Sequence, residues 1–328
     1  MQAALHDPTA LAADSLRLLE LPRPEPAPGE VRVRLCWSGV NPGELAAAAD
    51  VRVHVPLLAG SVPHNDGAGV IDATGEGVSP QRLGERVWVW NAAWQRAWGT
   101  AAQWVALPSA QAVALPDGVA TDAGACLGTS ALAAMHAVLQ GAGVTGRCVL
   151  VAGGAGAVGN YAVQFARLAG AEHVITTVSS ALKAGIALDA GAHSAVNYRE
   201  EDVVERVRRL TSGRGVDRII ETNMGANASA DMALLRRDGE IFALGCGSTG
   251  LTMDFTAARA RQAKLRFFDV HALRGSDRWR ATHQLQAWLE RGLVRHRIAA
   301  RLPLRRIEEA HALVASGLAV GKVLLATD

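Results

Sequence analysis

The chain has 328 residues, 49% apolar and 20% charged, a composition that can bury a core and argues against disorder. Its 33 basic and 31 acidic side chains leave a net charge of +2 with no long basic block, which argues against a nucleic-acid partner. No apolar run approaches the roughly 18 residues of a membrane helix, and at about 150 residues per domain the length suits two domains.

Met1-Gln2-Ala3-Ala4-Leu5-His6-Asp7 lacks the basic-then-apolar order of a secretory signal. The four cysteines (Cys36, Cys126, Cys148, Cys246) are scattered, with no C-x-x-C pair. Reduced thiols in a cytoplasm are therefore expected, without a local zinc finger or a disulfide scaffold.

Residues 1–120 read as short strands punctuated by Gly and Pro. Pro22, Pro24, Pro26, Pro28 and Gly29 form a stiff connector, and residues 31–35 then alternate with period two. Residues 69–73, 86–90 and 102–106 are further strands, and no strong helical period precedes about Asp122. An antiparallel or barrel-like β unit is expected here. Trp88, Trp90, Trp94, Trp98 and Trp104 crowd this segment, either walling an aromatic pocket or packing a core or dimer face.

The texture then changes. Residues 149–152 are a short apolar run, as in a strand buried on both faces. A helical pattern follows over Val158, Ala162, Phe165, Ala166 and Ala169, with Gly170 placed to stop it. Strands are expected at 173–178, 194–197, 216–221 and 240–244, and helices at 183–190 and 202–210. This alternation predicts a doubly wound parallel sheet, making the chain α/β. Helices near 280–291 and 307–316 and a strand at 322–325 close the chain, and this tail can return to the N-terminal unit.

Between the first buried strand and its helix stands Gly153-Gly154-Ala155-Gly156-Ala157-Val158-Gly159. Glycines in a strand–turn–helix corner let backbone approach a pyrophosphate, and the helix start offers free N–H groups and partial positive charge. The second strand ends Thr177-Val178-Ser179-Ser180, with Lys183 one turn on. No carboxylate stands there to bind a ribose diol or repel a 2′-phosphate, while hydroxyls and an ammonium favour one. NADP(H) is therefore expected over NAD(H). Lys183 can also be read as an ordinary exposed helix residue.

Further stretches carry a family resemblance: Gly39-Val40-Asn41-Pro42-Gly43-Glu44, Asp66-Gly67-Ala68-Gly69-Val70, Gly84-Glu85-Arg86-Val87, Val196-Asn197-Tyr198-Arg199, Gly215-Val216-Asp217 and Gly321-Lys322-Val323. With the glycine loop, they make the chain resemble the zinc-free quinone oxidoreductase (zeta-crystallin-like) branch of the medium-chain dehydrogenase/reductase superfamily. The resemblance implies a GroES-like catalytic domain, residues 1–122 and 270–328, and a Rossmann NADP-binding domain, residues 123–269. It places cofactor contacts on Ala155, Gly156, Ala157 and Val158 at the pyrophosphate, and on Ser179, Lys183 and Tyr198 around the 2′-phosphate. Asn227, Leu244, Gly245, Cys246, Phe268 and Val270 would lie on the nicotinamide side. Tyr198 can equally be a sheet-edge aromatic and Cys246 a small buried residue.

Zinc-dependent relatives carry Cys where this chain has Asn41 and His where Asn65 aligns, with His64 one position off. Three protein ligands cannot be assembled, so no metal is expected. NADPH-dependent reduction of a quinone follows, with Asn41 as the catalytic candidate orienting the acceptor oxygen. Asn41 can alternatively serve only the Asn-Pro turn. Departures from the family are Ala46 in place of a Tyr, Ala133 in place of a Thr, and Glu221-Thr222-Asn223-Met224-Gly225. A reductase of activated C=C bonds in enones or alkenals is the enzymatic alternative, and an NADPH-binding protein of RNA-binding or crystallin type the non-enzymatic one. The expected partner is a small-molecule quinone or enone, with no membrane and a homodimer as the family's assembly.

Overall fold

Alternating side chains in the first third of the chain become strands, and the expected β-rich and doubly wound parts are both present. The structure is a computed structural model describing residues 1–7, 16–47, 60–247 and 250–328. The chain divides into two units, Met1–Thr129 with Leu289–Asp328, and Ser130–Trp288. These seams lie later than residues 122 and 269. In the second unit, Trp288 packs on Phe165 with ring centroids 5.5 Å apart, so the helix bearing it stays with that core.

In chain order the first unit contains β1 (Gln2–His6), β2 (Leu16–Glu20), β3 (Glu30–Val40), α1 (Pro42–Ala47), β4 (Asp66–Thr74), β5 (Arg86–Val89), β6 (Trp104–Pro108), β7 (Ala112–Ala114) and α2 (Thr121–Gly124). Next come α3 (Leu132–Leu139), β8 (Cys148–Val151), α4 (Ala157–Leu168), β9 (His173–Val178), α5 (Ala181–Asp189), β10 (Ser194–Asn197), α6 (Val203–Leu210), β11 (Val216–Glu221), α7 (Met224–Leu234), β12 (Leu235–Ala243), α8 (Phe255–Arg261), β13 (Lys264–Phe267) and α9 (Gly275–Glu290). The tail adds β14 (Ile298–Pro303), α10 (Ile307–Ala315) and β15 (Lys322–Ala326).

β15 pairs antiparallel with β3, Leu324 opposite Gly39, so the tail enters the first unit's sheet, of order β14-β15-β3-β4-β5-β7 with β6 also on β3. Its core is Val31, Val33 and Leu35 of β3 against Ile71, Val87, Val89, Val105 and Leu107. Each such side chain contributes roughly 1.5–3 kcal/mol on burial.

The helix-free expectation before residue 122 is corrected by α1. Its start was written in the sequence: Asn41 precedes Pro42 at the first helical position, and the Glu44 carboxylate accepts from Asn41 N at 2.9 Å, one half of a capping box. Trp88, Trp98 and Trp104 take separate places. Trp88 lies in the core, Trp98 packs on a second cluster around Ala3 and Val62, Trp94 is partly exposed, and Trp104 donates to Asp72 while Arg23 lies 4.1 Å over its ring.

The second unit is a six-stranded parallel sheet of order β10-β9-β8-β11-β12-β13, with helices between strands. Leu150, Ile175, Val196, Ile219 and Ile241 form its core with Met224 and Met232 of α7. Asp202 is the N-cap of α6 rather than its first turn, accepting from Glu205 N at 2.9 Å. Gly170, at φ +81°, ends α4 as expected.

Candidate functional site

In the second unit β8 lies between β9 and β11, where strand order reverses, and ligands of such sheets bind beyond the strand ends at that point. The loop after β8 enters with Gly153 at φ +67°. A Cβ on Gly154 would stand 2.1 Å from Thr176 Oγ1, and one on Gly159 2.2 Å from Gly153 O, so these two permit close packing of loop, strand and helix. A Cβ on Gly156 would meet only Gly153 O, at 3.3 Å. Gly156 is the N-cap of α4 and brings no side-chain cap. The N–H groups of Ala157 and Val158, beside the buried Ala155, therefore precede the helical ladder, an arrangement suited to an anion.

β9 ends at Val178, whose carbonyl accepts from Tyr198 N at 3.0 Å. Ser179 and Tyr198 thus share one rim, with Lys183 in the first turn of α5. Ser180 is committed elsewhere, as the N-cap accepting from Lys183 N. Tyr198 is 53% exposed, and Ser179 and Lys183 are half-buried.

Leu244, Gly245, Cys246 and Phe268 line one groove of about 540 Å³ together with Met224 and Leu251. Its floor is sewn by backbone bonds, Met224 N to Gly245 O and Gly225 N to Cys246 O, both 2.9 Å. Two expected residues stand apart from this lining. Asn227 turns inward and donates to both Glu221 carboxylate oxygens, and Val270 is buried under Arg278, which donates to its carbonyl at 2.6 Å.

The first unit holds a buried polar cluster whose members, apart from Asn41, the sequence reading did not single out as functional. Lys322 Nζ donates to Asp66 Oδ2 at 2.6 Å and to Asn41 Oδ1, with lysine and aspartate 2% and 0% exposed. Asn41 Nδ2 faces Asp66 Oδ2 (2.9 Å), Glu44 Oε1 (3.0 Å) and Thr129 Oγ1 (3.3 Å). Ammonium on one side and carboxylates on the other fix which way the amide points. Both ends of Asn41 are thus engaged within the cluster. Thr129 donates to Asp66 Oδ1, and Asn65 donates twice to Glu44.

Burial opposes ionisation of Asp66, but Lys322 and the bonds from Lys322, Asn41 and Thr129 hold its carboxyl below the usual range. Glu44 is pushed up, by desolvation first and by the Asp66 charge second. Beside the cluster, His64 bonds Ser38 through Nδ1 (2.9 Å) and His311 through Nε2 (2.8 Å). Burial pushes both imidazoles down to about 3, Lys322 adding to the effect at His64 and the His64–His311 proximity at His311.

These residues do not fit a catalytic zinc, which takes Cys, His or carboxylate ligands. Asn41 and Asn65 are neutral amides, His64 is committed to Ser38 and His311, and Lys322 already brings a cation to Asp66. Among the described residues no group of three or more His, Cys, Asp or Glu is arranged to hold a metal.

Known proteins agree with this architecture. Residues 27–117 match the alcohol dehydrogenase GroES-like domain family and residues 157–288 the zinc-binding dehydrogenase family. The quinone oxidoreductase of Homo sapiens is 28% identical over 304 residues, covering 92% of this chain and 90% of that protein. Among solved structures, an NAD-dependent alcohol dehydrogenase superposes with a TM-score of 0.89 at 27% identity, covering 100% of both chains. A mycobacterial protein complexed with NADPH superposes with a TM-score of 0.86 at 26% identity, covering 99% of both. With both family domains in sequence order and a quinone oxidoreductase matching along nearly its whole length, the chain belongs to the medium-chain dehydrogenase/reductase superfamily, in its quinone oxidoreductase branch.

Proposed function

We propose that this protein is an NADPH-dependent oxidoreductase that delivers reducing equivalents to a quinone without zinc. One observation carries the reading. The open N-terminus of α4 lies at the sheet's switch point, and the neighbouring rim offers Ser179, Lys183 and Tyr198 with no carboxylate between β9 and α5. The names of similar structures include both coenzymes, so the choice between them rests on this rim. Bound NADPH supplies the hydride.

The chain's own part is to hold and orient. Ala157 and Val158 amides take the pyrophosphate, Ser179 and Lys183 the 2′-phosphate, and the groove of Leu244, Gly245, Cys246 and Phe268 the nicotinamide. Asn41 acts as a positioning residue through its bonds to Lys322, Asp66 and Glu44, rather than as a free hydrogen-bond donor to the acceptor. Quinones accept electrons without Lewis-acid help, consistent with a cluster whose cation is an ammonium.

Fluorescence titration with NADPH and NADH tests the reading, followed by turnover against quinones, 2-alkenals and alcohols and metal analysis of the same sample. NADPH is expected to bind at least about tenfold tighter, a difference of about 1.4 kcal/mol, with quinones reduced fastest. Tighter NADH binding, turnover confined to alkenals or alcohols, or activity that tracks stoichiometric zinc would each overturn it.

A further inference from the structure

Glu221 ends β11, the strand next to β8, and Asp231 lies two turns along α7. Both side chains are buried, at 1% and 2% exposure, and their carboxyl groups lie within hydrogen-bonding reach of each other. Glu221 Oε1 accepts from Asn223 N at 2.5 Å, and both its oxygens accept from Asn227 Nδ2. Asn223, Asn227 and Asp231 follow at i, i+4 spacing, so one face of the α7 segment turns toward Glu221. Asp231 Oδ2, by contrast, meets no N–H or O–H.

Among the described residues no cation pairs with either carboxyl group. The uncharged groups acting on Glu221 are Asn223, Asn227 and the Thr222 amide, and the one charge acting on Asp231 is Glu221 itself. Arginines of the neighbouring helices turn elsewhere: Arg208 of α6 to Ala233 O, and Arg261 of α8 to Leu235 O and Ala233 O. On the adjoining strand, Glu240 of β12 is neutralised by Arg218. Two carboxylates in such a place repel at low effective dielectric, whereas an acid and a carboxylate form a strong hydrogen bond.

We propose that Glu221 and Asp231 share one proton, and that this proton clasps the 222–227 turn in the shape that docks on Gly245 and Cys246, making Asp231 a positioning residue for the coenzyme groove. The turn's location makes the clasp consequential. Leu244 N bonds Glu221 O, Met224 N bonds Gly245 O, and Gly225 N bonds Cys246 O, so a shift of Glu221 moves the groove's floor. Burial, then the Glu221 charge, push the Asp231 carboxyl up to about 8. Above that pH the proton leaves to solvent, and two negative charges remain beneath the turn. The folded chain thus holds one more proton than the unfolded chain between about pH 4 and 8, and stability falls as pH rises through that window.

The test uses the full chain without coenzyme. Infrared difference spectra of wild type against Asp231→Asn at neutral pH are expected to show a protonated carboxyl band in wild type alone, disappearing as pH is raised through about 8. Asn keeps a donor toward Glu221 but carries no charge, so the melting temperature of wild type should fall relative to this variant from pH 5 to 8. Glu221→Gln serves as the second variant: without the neighbouring charge, the band's midpoint should move to lower pH. A band unchanged by Asp231→Asn, or no wild-type band at neutral pH, overturns the clasp.

The positioning role rests on the coenzyme reading above and has its own readout. NADPH affinity should weaken about tenfold from pH 7 to 9 in wild type and stay flat in Asp231→Asn. Parallel profiles for the two proteins sink the positioning role. If NADPH binds neither at any pH, the coenzyme reading fails while the infrared band still decides the shared proton.

Discussion

Among the described residues, each unit of the molecule buries one ion pair on both sides, and the two pairs differ in their partners. In the second unit Arg218 and Glu240 are 0% and 5% exposed. Arg218 donates to Ala137 O, Val138 O and Gln140 O at the end of α3, and it stacks over Phe242 at 4.5 Å. Its remaining partners are backbone carbonyls, so it ties a helix terminus to a sheet. In the first unit Lys322 and Asp66 are as deeply buried, but their partners Asn41 and Thr129 are side chains, and Asn41 in turn donates to Glu44. A buried pair with backbone partners is a clamp; one among polar side chains fixes how those side chains point. Burial alone does not distinguish them, but the partner list does.

Removing one partner gives the largest expected effect. Lys322→Met removes the one cation paired with Asp66 among the described residues, and should cost about 3–5 kcal/mol in urea denaturation. Arg218→Met should cost a similar amount, softened where Arg266 lies 3.8 Å from Glu240. Removing both partners then separates the pairs. Arg218→Met with Glu240→Leu should recover much of the stability, because apolar replacement of a buried pair is often neutral. Lys322→Met with Asp66→Asn should recover stability too, yet leave quinone reduction impaired. Equal recovery of turnover in the second case would place the Lys322 cluster with the structural clamps.

Acid titration sharpens the same contrast. Asp66 and Glu240 both titrate below the usual carboxylate range, each against burial, through the neighbouring ammonium or guanidinium. A depressed folded pKa gives stability that is present above about pH 4 and lost as pH falls through the folded value. Asp66→Asn should flatten part of the acid limb of the denaturation curve, as should Glu240→Gln. A limb unchanged in both variants would mean that neither carboxylate is ionised through its partner.

The proposed coenzyme cradle was legible in the sequence because its features are local. Residues 153–159 carry the turn, the close packing and the open helix start in seven consecutive positions, and β9, β10 and β11 fall where their β-branched runs lie. The polar cluster was not legible, since Asn41 and Lys322 are 281 positions apart and only the pairing of β15 with β3 joins them. Arg218 was hidden differently. A charged residue inside an apolar strand reads as solvent-facing until its partner Glu240 and the end of α3 are seen to surround it. The Asn41-Pro42-x-Glu44 helix start was a local signal that strand periodicity overshadowed.

Within the cradle, two glycines separate folding from binding. Gly159→Ala places a methyl 2.2 Å from Gly153 O, against backbone, and should destabilise the second unit markedly. Gly156→Ala meets only one contact, at 3.3 Å, from ordinary extended dihedrals. Its stability should change little, while the added methyl intrudes where a diphosphate would rest. About a tenfold loss of NADPH affinity by titration is expected, and unchanged affinity would remove the pyrophosphate from this helix start.

The smallest effects come from two adjacent serines, which separate scaffold from specificity most finely. Ser180 caps α5 through Lys183 N, so Ser180→Ala should cost about 1 kcal/mol of stability. Any effect on coenzyme would be indirect, through fraying of the turn that carries Lys183. Ser179 precedes the cap, half-buried on the rim with Tyr198, and its hydroxyl is not part of the helix start. Ser179→Ala should leave the melting temperature in place and weaken NADPH by a few-fold, with NADH unaffected, since only NADPH carries the 2′-phosphate that the hydroxyl would meet. If instead both coenzymes weaken together, Ser179 contacts the shared ribose or diphosphate, and Lys183 carries the discrimination alone.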